Sequence, residues 1–128
     1  RFSHDLLARG RQPPHPSTFY RRTVFDRLGD YDLRYRIAAD FELFCRMAEA
    51  GIRCRPIEEV LTTFACAGAS AALSSHLESG RILRTYYGRW AAARYLAENT
   101  ALWLGGRLLR LGGLRRTFWH RFGRGDRP

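Results

Sequence analysis

Glycines and prolines cut residues 1–56 into short pieces, which restricts that part of the chain to short elements packed on one another. Residues 2–9 read as a short helix ending near Gly10. Gln12-Pro13-Pro14-His15-Pro16 is then extended, because each proline fixes its own φ and steers its predecessor away from helix. Ser17-Thr18-Phe19-Tyr20 alternates and is β-prone. Thr23–Leu28 predicts a helix with Val24, Phe25 and Leu28 on one side and Gly29 as its stop. Asp30-Tyr31-Asp32 is turn chemistry. Phe41–Ala50 puts Phe41, Phe44, Cys45, Met47 and Ala48 on one helical face, closed by Gly51. Ile52–Arg55 and Val60–Phe64 are strand candidates separated by Pro56. From Ala71 the pattern is helical, with Ile82, Tyr86 and Trp90 in one stripe and Leu83 and Tyr87 beside it. Gly105-Gly106 and Gly112-Gly113 divide the tail. Strands and helices interleaved, then helices alone, predict an α/β piece over residues 1–70 and a basic, mostly helical appendix over 71–128.

The 128 residues fit one domain or a piece of one, and a 45% hydrophobic share is enough for a core. No run of apolar residues is long enough to span a bilayer. Arg1-Phe2-Ser3-His4-Asp5 has neither an initiator methionine nor a signal-peptide apolar region, so an internal cut is expected there. Charge is unevenly placed. Residues 1–80 hold 11 arginines against 10 acids; residues 81–128 hold 11 against Glu98 and Asp126 alone. Cys45, Cys54 and Cys66 lack metal-ligand spacing, which argues against a zinc site and for small buried hydrophobes in a reducing cytoplasm.

Asp40 stands at the start of the Phe41–Ala50 helix. Position alone makes it a helix cap. Glu42 reads as a favourable charge on the first helical turn. The two do not form a paired-carboxylate hydrolase, because side chains at i and i+2 of a helix diverge. Asp30-Tyr31-Asp32 imitates an Asp-x-Asp metal motif but follows a glycine helix stop instead of ending a hydrophobic strand, so no metal ligand is assigned.

Five blocks occur in a fixed order: Pro14 to Arg22, Leu28-Gly29-Asp30-Tyr31-Asp32, Tyr35 to Leu43 (YRIAADFEL), Ala50-Gly51-Ile52, and Ala67-Gly68-Ala69-Ser70. In this order and spacing, residues 13–70 resemble the C-terminal, acceptor-side half of the catalytic domain of glycosyltransferase family 2, which has the GT-A fold. The chain departs from that pattern at Ala39, where the family often has Glu, and at Ala67, where it often has Gly. The resemblance implies an inverting transfer of sugar from a nucleotide-diphospho-sugar donor to a hydroxyl of a glycan or lipid-linked acceptor, in cell-surface polysaccharide or glycolipid synthesis. It makes Asp40 the catalytic base, a role that a cap does not exclude, since capping holds the carboxylate rigid. His15, Asp32, Phe41 and Arg46 become acceptor-side candidates. A divalent metal, Mg²⁺ or Mn²⁺, is implied for the whole enzyme, with its ligands mostly in a donor half outside these residues. The chain alone is therefore expected to be inactive, and its half-sheet to expose an edge.

Residues 81–128 mix arginine with Tyr86, Tyr87, Trp90, Trp103, Phe118, Trp119 and Phe122. Three readings compete: a helical appendix with solvated arginines, a membrane-surface element meeting anionic lipid, and a nucleic-acid binder. The first two together are favoured, placing the protein in the cytoplasm and peripherally at the inner face of the membrane. No nucleic-acid-binding motif is recognisable. The alternative to an enzyme is a non-enzymatic basic module that binds nucleic acid or anionic membrane through the arginine-rich tail.

Overall fold

The computed structural model describes residues 2–63 and 73–111. Four helices appear in it: α1 (His4–Ala8), α2 (Arg22–Leu28), α3 (Ala39–Glu49) and α4 (Leu73–Leu111), with a 3₁₀ turn at His15–Ser17. Each early helix has a local cause. Ser3 caps α1, its Oγ accepting from the Leu6 amide at 3.3 Å. Gly29 terminates α2, and the chain leaves α3 through Ala50 and Gly51.

The expected α/β architecture is corrected. Among the described residues there is no strand and no sheet, so neither the α/β class nor a partial GT-A fold describes them. The reason is pairing. A strand exists only when a neighbour takes its amides and carbonyls, and among the described residues no backbone hydrogen bond joins two β-prone runs. Ser17 and Thr18 donate their hydroxyls to the Pro14 carbonyl, at 3.2 and 2.9 Å, and the backbone closes a 3₁₀ turn instead. Residues 52–63 run without a ladder and leave Ile57 and Val60 exposed. Phe64, the end of the second expected strand, lies outside the described residues, as do Cys66 and the Ala67–Ser70 block.

α3 is the central helix. The sequence marks one apolar face, but Leu43 is buried along with Phe41, Phe44, Cys45, Met47 and Ala48, so α3 is covered nearly all round. α1, α2 and α4 all pack against it. Leu7, Val24, Ile82 and Leu83 complete a cluster that joins the early helices to α4. Full burial of each large apolar side chain contributes roughly 2 kcal/mol. Of the cysteines, Cys45 is in this core, where burial pushes its thiol up to about 12; Cys54 is exposed and does not fit the expected buried role.

α4 is not one straight rod. Gly88 has φ 84° and ψ 172°, a region essentially closed to any residue with a Cβ. The chain reverses there, and residues 73–87 and 89–111 pack side by side. His76 Nδ1 lies 3.1 Å from the Tyr95 hydroxyl, and a Cβ added to Gly80 would stand 2.9 Å from Leu96. The reversal breaks the expected Ile82–Tyr86–Trp90 stripe: Ile82 is fully buried, but Trp90 is swung outward and is 77% exposed. Gly105 and Gly106, expected to divide the tail, lie within the helix. Gly88→Ala is expected to cost about 1–3 kcal/mol, read as a lower urea midpoint at unchanged slope. An unchanged midpoint would mean that this glycine does not set the reversal.

Candidate active site

Asp40 is the second residue of α3 and is partly exposed. Its carboxylate is held by two donors. Gln12 Nε2 donates to Oδ2 at 2.9 Å, and the Phe41 amide donates to Oδ1 at 2.8 Å. Lone pairs remain on both oxygens for a further donor. Gln12 comes from the segment before the prolines, so the site joins two parts of the chain that are far apart in sequence.

The charge of this carboxylate acts on two tyrosines. The Tyr31 hydroxyl lies 3.3 Å from His15 Nε2. Burial raises the Tyr31 phenol above its ordinary value, and the Asp40 charge adds to the effect. Tyr20 is raised further, first by burial, then by Tyr31 and Asp40. Its hydroxyl is buried and makes no hydrogen bond among the described residues. His15 packs near both rings, with centroids 6.4 Å away in each case. Gln12, His15, Tyr20, Tyr31 and Asp40 thus share one neighbourhood.

The side chains of the other expected site residues are engaged in other contacts. Phe41 is 3% exposed and packs in the core. Asp32 is locked to Arg34, which donates from Nε at 3.0 Å and from Nη2 at 2.7 Å, while the Arg34 amide donates to Oδ1. These bonds hold the Asp32 carboxyl below its ordinary value. Arg46 bonds Glu42 Oε2 at 2.9 Å and the carbonyls of Leu28 and Asp30 at 2.6 and 2.8 Å. It ties the α2–α3 turn to α3. Glu42 is itself buried and also accepts from the Tyr86 hydroxyl at 2.6 Å. Glu42 does stand on the first turn of α3, as expected, and it is also paired with Arg46.

The helix cap is corrected as well. Ala38 occupies the N-cap of α3 and offers no side-chain bond. The carboxylate that serves this end is Glu78 of α4, which accepts from the amides of Arg36, Ile37 and Ala38 at 3.2, 2.9 and 3.0 Å. Burial tends to raise the Glu78 carboxyl, but the three amides outweigh it and hold it below its ordinary value of 4.5. A group depressed on folding stabilises above its unfolded value and loses that contribution as pH falls through the folded value. Acidification below 4.5 is therefore expected to destabilise the protein more than Glu78→Gln, which itself should cost about 1 kcal/mol at neutral pH. Thermal midpoints of both proteins across an acid pH series check this; parallel curves would contradict it.

Among the described residues no three His, Cys, Asp or Glu side chains converge on one point. A hollow of about 1060 Å³ has Tyr20 in its wall. Val24, Phe44 and Met47 line it, with Arg21, Arg27, Arg53 and Arg55 also around it. No local pattern marks Gln12 or Glu78, because both act across long separations. Glu42 and Arg46 stand at i and i+4, a spacing that marks a helical ion pair. The chain matches no family model, no curated protein and no solved structure.

Proposed function

We propose that the chain carries the acceptor-activating residues of an inverting glycosyltransferase, with Asp40 as the base. The observation that supports this is the Asp40 neighbourhood. A partly exposed carboxylate is fixed by Gln12, its charge acts on Tyr20 and Tyr31, and the Tyr31 hydroxyl lies 3.3 Å from His15. His15, Tyr20, Tyr31 and Asp40 fall within three separate blocks of the family resemblance. The chemistry needs the carboxylate and its surroundings more than it needs a particular architecture.

In the proposed step a lone pair of Asp40 takes the proton of an acceptor hydroxyl. The hydroxyl oxygen bonds to the anomeric carbon, and the bond from that carbon to the leaving nucleoside diphosphate breaks. In-line attack inverts the anomeric centre. Tyr31 and His15 offer aromatic surface and hydrogen-bonding edges, which suit a polyhydroxylated acceptor. The acceptor is a glycan or a lipid-linked sugar, in cell-surface polysaccharide or glycolipid synthesis. Donor contacts, and the ligands of an Mg²⁺ or Mn²⁺ that would neutralise the diphosphate, would come mostly from residues outside this chain.

The test is a transfer assay on the polypeptide that carries these residues, with nucleotide-diphospho-sugars and glycan or lipid-linked acceptors. The product is expected to have the anomeric configuration opposite to that of the donor. Retention would overturn Asp40 as a base in a single displacement, and absence of transfer from every such donor would overturn the reading itself.

A further inference from the structure

The reversal at Gly88 has a consequence for the surface. Residues 89–111 bury one side, through Ala92 and Tyr95. At about 100° per residue, Trp90, Ala93, Ala97, Ala101 and Leu104 fall on the opposite side, and all five are exposed. Trp90 is 77% exposed and Leu104 48%, with Leu102, at 74%, toward one flank. An ordinary surface helix shows its polar face there. This one shows an apolar stripe headed by tryptophan.

Basic residues accompany the stripe. Arg89 and Arg94 are exposed, and the Arg89 guanidinium lies 5.2 Å from the Trp90 ring centroid. Residues 89–111 contain Arg89, Arg94, Arg107 and Arg110 against the single acid Glu98. Arg81 and Arg84, on the other half of α4, are exposed too. An exposed aromatic and aliphatic stripe beside excess positive charge complements an anionic bilayer surface, where tryptophan sits at headgroup level and arginine meets lipid phosphate. A nucleic-acid backbone would use the arginines but gain little from the alanines and leucines. A second copy of the stripe would bring arginine against arginine. No described helix is long and apolar enough to cross a membrane, so the contact is interfacial.

We infer that the Trp90–Leu104 stripe of α4 docks on anionic lipid bilayers. The inference does not depend on the chemistry assigned to Asp40.

Co-sedimentation of the 128-residue chain with phosphatidylcholine vesicles, with and without phosphatidylglycerol, tests it. Binding is expected only to the anionic vesicles and to weaken with salt. Trp90→Glu combined with Leu104→Glu should weaken it by about tenfold or more. Arg89→Glu should weaken it by roughly fivefold or more. Both variants change exposed side chains, and unchanged circular dichroism confirms their folding. Equal binding to neutral vesicles would overturn the inference. So would vesicle binding that the stripe variant leaves intact, or binding to duplex DNA with a steep salt slope and none to vesicles.

Discussion

Asp40→Asn is expected to lower sugar transfer by about two to four orders of magnitude, the usual contribution of a positioned general base. The substitution keeps the shape of the side chain. Its carbonyl oxygen can still accept from the Phe41 amide, which is now 2.8 Å from Oδ1. Gln12 can turn its own amide to meet the new one. The fold should therefore survive, with a thermal midpoint close to that of the unchanged protein. What is lost is the lone pair basic enough to take a hydroxyl proton. Donor affinity should stay the same, because no donor contact is assigned to Asp40. Transfer within a few-fold of the unchanged protein would remove Asp40 from the chemistry. A large fall in the thermal midpoint would reassign it to holding Gln12 and the start of α3.

The helices were legible because their signals are local. Gly10, Gly29 and Gly51 lie where the chain must stop, and the spacing of Phe41, Phe44 and Met47 needs no distant partner to be read. The strands were misread because β-propensity states only that a segment would suit a pleated surface. Ser17 and Thr18 show the alternative, since the same side chains close a turn on Pro14 when no neighbouring strand is present. Trp90 shows how one backbone conformation defeats a periodic reading: the i, i+4 spacing holds on both sides of Gly88 but not through it.

The candidate site was legible in part for the same reason. Asp40 and His15 were identifiable from short motifs, but their surroundings depend on separations that no local pattern encodes. Gln12 reaches Asp40 across 28 residues, and Glu78 reaches Ala38 across 40. The Glu78 contact changes the reading of Asp40. With the amides before α3 held from α4, Asp40 serves a single first-turn amide, that of Phe41 on Oδ1, and its second oxygen is held only by Gln12 at the surface. Oδ2, which serves no helix amide, is the oxygen freer to act on a substrate.

Glu42→Ala is expected to cause the largest loss of stability among single changes to the charged residues described, about 3 kcal/mol. Glu42 and Arg46 are 2.9 Å apart, with side chains 4% and 20% exposed. Removing one partner of a buried pair leaves the other desolvated and uncompensated, at a cost of roughly 3–5 kcal/mol. The partial exposure of Arg46 and its two carbonyl bonds put the expectation at the low end. The Tyr86 hydroxyl, which donates to Glu42 at 2.6 Å, loses its acceptor as well. Against a total stability of about 5–15 kcal/mol for a domain, this shifts the thermal midpoint by on the order of 10 °C. Glu42→Gln keeps an acceptor for Tyr86 and should cost less. The pair also predicts non-additivity, because Arg46→Ala removes the charge that Glu42→Ala strands. The double variant should be less destabilised than the sum of the two single ones, by about 1 kcal/mol or more. Urea midpoints for the four proteins give the comparison. Strict additivity would mean that the two charges do not stabilise each other, and that Arg46 acts through the carbonyls of Leu28 and Asp30 alone.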